Sequence, residues 1–182
     1  MLLKELHDHP RHVTASTLRT LYQSVELLAV LFERASFGPL KPSTPSRVLV
    51  VDDDPVSGKL VSFALGMAQL EAVNLEDSRA AYEKLQTGPF ALVVTDVKMP
   101  GMSGFELCEK LRALPGHAKT PVIFVTVAND FATRVHSARS GVDDFIAKPF
   151  LAIELAVKAL SQLLQIGLQN VLPGFRPFHP ES

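Results

Sequence analysis

The chain has 182 residues, 47% of them hydrophobic and 20% charged, with a formal net charge of -1. That length fits one ordinary domain plus additional segments, and the balanced charge leaves no basic footprint for nucleic acid and no acidic block. The single cysteine, Cys108, excludes an internal disulfide framework and a multi-cysteine metal site.

In chain order, residues 1–11 mix charged and polar groups without the apolar core of a signal peptide. His7 and His9 fall there, with His12 just after, and the three read as an exposed polar leader rather than a metal site. Residues 14–35 predict one amphipathic helix, with Leu18, Leu21, Tyr22, Val25, Leu28, Ala29 and Phe32 at helical spacing and Thr14 or Ser16 as its cap. "SFGPLKPSTPS" (36–46) has three prolines at a spacing of three; it predicts an extended linker and a boundary near Pro45.

From Arg47 the pattern changes. "RVLVV" (47–51) predicts a strand, and Val56, Leu60, Phe63, Ala64 and Met67 a helix. "EAVNL" (71–75) is a second strand, with a helix over 78–87, and "FALVVT" (90–95) a third, with a helix over 104–113 that contains Cys108 as a buried structural thiol. "PVIFVT" (121–126) is a fourth strand, with a helix over about 129–140, and "DFIA" (144–147) a fifth, with a long helix from Phe150. Short apolar strands alternating with helices predict a parallel α/β sheet covered on both faces. Right-handed crossovers leave few topologies. A flavodoxin-like order, 2-1-3-4-5, sets the ends of strands 1, 3 and 4 side by side. No apolar run reaches the ~18 residues of a membrane span, so the expectation is a cytoplasmic protein.

The strand ends carry the chemistry. Strand 1 ends in Asp52, Asp53 and Asp54, strand 3 in Asp96, strand 4 in Thr126, and strand 5 in "KPF" with Lys148. Ligands of open α/β sheets bind at this rim. Clustered carboxylates repel unless a cation compensates, and Mg²⁺, which takes oxygen ligands, is the natural one. An aspartate can act as a nucleophile and form an acyl phosphate. Phosphoryl transfer then needs positive charge at the phosphoryl oxygens, which Lys148 and Mg²⁺ supply, with Thr126 as a hydrogen-bond donor. Asp96 stands alone at the centre of the rim, Asp52 and Asp53 are adjacent and suit the metal, and Asp54 before Pro55 reads as a helix cap.

With "VLVVDDDP", "VVTDVKMPGMSGFEL", "PVIFVT" and "DDFIAKPF" in this order, residues 47–164 resemble the receiver domain of two-component response regulators, a CheY-like fold. The resemblance implies that Asp96 is the phosphoacceptor, that Asp52, Asp53, Asp96 and the backbone carbonyl of Lys98 hold Mg²⁺, and that Lys148 contacts the phosphoryl group. It further implies that Thr126 and Phe145 form a switch pair, that the Lys148–Pro149 bond is cis, and that the protein is a phosphorelay component rather than an enzyme. Its partner is then a histidine kinase or histidine-phosphotransfer protein. Two features depart from the pattern: Val127 stands where receivers usually carry a small residue, narrowing access to Asp96, and a segment precedes the receiver. The rival from another class is a haloacid-dehalogenase-type phosphatase with Asp52 as nucleophile and Thr126, Lys148 and Asp143–Asp144 as later motifs. Its order is wrong, and it leaves Asp96 unexplained. A third reading is a receiver-like interaction module that no longer reacts.

The domain expectation is a helical segment over 1–35, a linker over 36–46, a receiver over 47–168 and a tail over 169–182. Within 150–168 only Glu154 and Lys158 are charged, so this helix is expected to be buried on more than one side. Its second face is expected to pack on the N-terminal helix, in the same chain or in a homodimer. That N-terminal helix faintly resembles the closing helix of histidine-phosphotransfer domains. The tail is too short for a DNA-binding domain.

Overall fold

The computed structural model describes residues 4, 7–8, 13–33, 47–127 and 141–171. The linker expected over 36–46, the helix expected over 129–140, His9, His12 and the tail beyond 171 lie outside them. Five strands are described: β1 (Arg47–Val51), β2 (Glu71–Leu75), β3 (Leu92–Asp96), β4 (Val122–Val127) and β5 (Asp144–Lys148). They form one sheet in the order β2-β1-β3-β4-β5 with every pairing parallel, as the sequence predicted. The helices are α1 (Ala15–Glu33), α2 (Pro55–Met67), α3 (Ser78–Thr87), α4 (Gly104–Ala113) and α5 (Ala152–Val171).

Because alternate strand residues point to opposite faces, the sheet divides the core in two. Val48, Val50, Leu92, Val94, Ile123, Val125 and Ile146 meet Val61, Ala64 and Leu65 of α2 and Leu155 and Ala159 of α5. Leu49, Val51, Val93, Val122 and Phe124 meet Ala81 and Leu85 of α3 and Leu107, Cys108 and Leu111 of α4. Cys108 is thus a core residue; burial pushes its thiol pKa up to about 11, an inert thiol at neutral pH.

Two helices present a different face from the one their apolar spacing suggests. On α2, Val56, Leu60, Phe63 and Met67 of the expected stripe are exposed while its Ala64 is buried, and the sheet is met by Ala64 together with Val61 and Leu65. On α1, Leu18, Tyr22 and Val25 are more than half exposed, while Ser16, Thr17, Thr20 and Gln23 are buried. The physical reason lies in what α1 meets. It packs on α5 and β5 of the same chain, where Glu154, Lys158 and Asp144 are each at most 2% exposed. Buried charge requires hydrogen-bonding partners, so the hydroxyl and amide face of α1 turns inward. The Ser16 hydroxyl donates to Glu154 Oε1, and Thr20 Oγ1 lies 3.5 Å from the same oxygen. Lys158 Nζ donates to Asp144 Oδ2 at 2.7 Å and to Gln23 Oε1 at 3.4 Å. Thr14 caps α1, accepting the Thr17 N–H at 3.1 Å.

α4 begins with a capping box between Ser103 and Glu106. At its first residue, Gly104, the N–H donates to Val97 O at 3.0 Å. A Cβ there would come within 2.2 Å of the Asp96 carbonyl oxygen. Only glycine lets the helix start this close to the end of β3.

Two outcomes are expected. Gly104→Ala should destabilise the chain by about 2 kcal/mol, because overpacking against rigid backbone, about 3 kcal/mol, exceeds the ~1 kcal/mol helix-propensity gain of alanine; urea unfolding midpoints measure it. For Glu154, burial raises the carboxyl pKa above 4.5, and the Ser16 hydroxyl and the Lys158 charge only partly offset this. Its favourable contribution is therefore complete below the ordinary carboxylate range and is lost as pH rises through the raised value. Glu154→Gln keeps an acceptor for Ser16 but cannot ionise. Thermal unfolding across that range should show the variant losing less stability with rising pH, by about 3 °C in Tm per kcal/mol of penalty removed.

Candidate functional site

The parallel register builds the site. Val51 of β1 pairs with Thr95 of β3, so the next residues, Asp52 and Asp96, leave adjacent strand ends together. Asp96 pairs in turn with Val125 of β4, Thr126 with Ala147, and Val127 with Lys148 of β5. Carboxylate oxygens of Asp52, Asp53 and Asp96 all lie within 4.8 Å of one another. Asp52 is buried, Asp53 exposed and Asp96 intermediate.

Lys148 reaches across this group. Its Nζ donates to Asp96 Oδ2 at 2.6 Å and to Asp52 Oδ2 at 2.9 Å. Partial burial pulls the ammonium pKa down, but hydrogen bonds to Asp96 and Asp52 and their charges more than offset it, holding the pKa above its ordinary value. The Lys148–Pro149 peptide is cis. Asp52 is fixed from two more sides: Oδ1 accepts the Asp54 N–H at 3.0 Å, and Oδ2 accepts the Ser57 hydroxyl. Asp96 Oδ1 accepts the Lys98 N–H at 3.1 Å. Asp54 caps α2, its Oδ1 accepting the Val56 N–H at 3.0 Å with Pro55 in the first turn.

Thr126 is buried next to the Asp96 pairing position, and Val127 lies on the rim with its side chain largely exposed. Phe145 packs against the α3/α4 side of the core. On its other flank the Arg19 guanidinium of α1 stands 4.8 Å from the ring centroid, within cation–π range. Sequence reasoning missed three residues. Gly104 was visible only as turn chemistry, although the Met-Pro-Gly loop that precedes it marked the close approach. Ser57 follows from the Asp54–Pro55 helix start, which aims the first turn of α2 back over Asp52. Arg19 had no sequence signal, because its contact is made by packing between distant elements.

The acidic pair invoked for a phosphatase stands elsewhere. Asp143 accepts from Arg112 Nη2 at 2.9 Å and from the Val122 N–H at 2.8 Å, and Asp144 is the partner of Lys158. Asp144 is the first residue of β5 and Asp143 precedes it, so Asp144 stands about 13 Å of strand away from Lys148 and Asp143 further still. Among the described residues, Asp52, Asp53 and Asp96 are the only group of three metal-ligating side chains. No described helix is long and apolar enough to cross a membrane.

Comparison with known proteins agrees with this arrangement. The family model for the response regulator receiver domain matches residues 48–160. The chain is 36% identical over 152 residues to the sensor protein GacS of Pseudomonas syringae pv. syringae, covering 81% of this chain and 16% of that protein. It is 34% identical over 117 residues to the transcriptional activator protein IrlR of Burkholderia pseudomallei, covering 64% of this chain and 50% of that protein. It therefore spans half or less of the length of these curated relatives. Among solved structures, the chemotaxis response regulator CheY4 of Vibrio cholerae superposes with a TM-score of 0.60 at 30% identity, covering 66% of this chain and 99% of that one. With its sheet order, its acidic rim and its bridging lysine, the chain belongs to the response regulator receiver domain family.

Proposed function

We propose that Asp96 accepts a phosphoryl group from a phosphohistidine on a histidine kinase or phosphotransfer protein, and that the receiver acts as a signalling switch rather than as an enzyme with a released product. The observation that carries this reading is the Lys148 ammonium held between Asp96 and Asp52 at 2.6 and 2.9 Å. An Asp96 oxygen attacks phosphorus as the phosphorus–nitrogen bond of the donor breaks, and the imidazole leaves with the electron pair. The ammonium already touching Asp96 then stabilises the charge carried by the phosphoryl oxygens.

Three carboxylates and one ammonium leave a surplus of about two negative charges at the rim, and the hard oxygen donors fit Mg²⁺. Asp52, Asp53, Asp96 and the Lys98 carbonyl are the residues we assign to it. Bound there, Mg²⁺ supplies charge neutralisation for the incoming phosphoryl group. Ser57 and the Asp54 N–H orient Asp52 for that role. In this reading Thr126 donates a hydrogen bond to the phosphoryl group, the space it vacates takes the Phe145 ring, and the two side chains report the reaction to the surface of β5. Val127, on the rim beside the site, sets how freely donor or water reaches Asp96.

Incubation with acetyl phosphate and Mg²⁺ should add one phosphoryl group by intact mass, none to Asp96→Asn, and none when the metal is chelated. Lys148→Gln should slow the gain by about tenfold or more. Label persisting in Asp96→Asn would instead assign the nucleophile to another residue.

A further inference from the structure

The contact between α1 and the receiver joins Arg19, which lies outside the receiver signatures, to Asp144 and Phe145 at the start of β5. Arg19 is its centre. The guanidinium lies over the Phe145 ring, and Nε is 3.9 Å from Asp144 Oδ1. That Nε is buried and has no hydrogen-bond partner. The same Asp144 carboxylate accepts the Phe145 N–H at 2.8 Å on Oδ1 and Lys158 Nζ at 2.7 Å on Oδ2. Arg19 is therefore held by the ring face and by one carboxylate at long range, a grip that depends on where the ring stands. Ser16 and Gln23, on either side of it, are tied to Glu154 and Lys158 of α5.

We propose that α1 is the built-in reader of this receiver: Arg19 couples the position of the Phe145 ring to the docking of α1 on β5 and α5. This rests on the assignment of Asp96 as phosphoacceptor and Phe145 as switch. When the ring moves inward, Arg19 loses its aromatic partner while its Nε remains buried without a hydrogen bond, so the phosphorylated state holds α1 less tightly. The β5–α5 face and the inward polar face of α1 then become available together. A partner that replaces α1 must be a helix carrying hydroxyl and amide groups for Glu154 and Lys158 and a cation for Phe145 and Asp144. Arg19 is a positioning residue in this scheme, because it touches neither phosphate nor metal.

The test is hydrogen exchange by mass spectrometry on the full chain, with and without acetyl phosphate and Mg²⁺, with the phosphoryl count read from intact mass in the same sample. Peptides covering 15–25 should exchange roughly fivefold faster in the phosphorylated chain, the shift expected for losing one partly buried cation–π contact. Arg19→Ala should give fast exchange in both states. Arg19→Lys, which keeps the charge but not the planar stacking surface, should leave α1 insensitive to phosphorylation. Phosphorylated protein with unchanged or slower exchange over 15–25 would overturn the coupling and leave the phosphoacceptor reading intact. Absence of any mass gain would remove that reading and the coupling with it. A lysine variant that responds like the parent chain would overturn the role given to Arg19 stacking.

Discussion

Strands that all run the same way deliver their carboxyl ends to one rim, and every feature of this site follows from the charges that the chain places there. Asp52 and Asp96 meet because Val51 pairs with Thr95. Their repulsion is offset from β5, where Lys148 bridges both. The surrounding pieces keep this arrangement in place: Asp54 and Pro55 start α2 at the correct point, Ser57 steadies Asp52, and Gly104 allows α4 to begin against the backbone of Asp96. A rim that holds like charges at short range favours a divalent cation and a phosphoryl group together, since each compensates what the other adds.

β5 carries a second charged centre at its other end. Asp144, its first residue, is the buried partner of Lys158 and stands beside Arg19, while Lys148, its last, belongs to the rim. Phe145 lies between the two. A single five-residue strand thus joins the chemistry at the rim to the docking of α1. The interface of α1 is polar because a buried Lys–Asp pair with a neighbouring glutamate cannot be covered by leucines without leaving charge unsatisfied.

Much of the fold was legible because its signals are local. Strands 1, 3 and 4 are short runs rich in β-branched residues, and alternation with helices left few right-handed topologies, of which the flavodoxin-like order 2-1-3-4-5 was the one expected. Asp52, Asp53, Asp96 and Lys148 were legible for the same reason, since a charged residue closing an apolar strand has one place to go. Helix orientation was not legible. Apolar spacing located α1 and α2, yet Leu18, Tyr22, Val56 and Phe63 face outward. Periodicity reports that a helix has two faces; which face is buried depends on what it meets.

The sequence by itself therefore determined the strand run, the acidic rim, the bridging lysine and the membership of the family, because each rests on residue type and spacing along the chain. Only the tertiary structure decided the inward polar face of α1, the stacking of Arg19 on Phe145 across 126 positions of sequence, and the requirement for glycine at 104. Those depend on distances between elements far apart in the chain, and spacing along a sequence carries no measure of such distances.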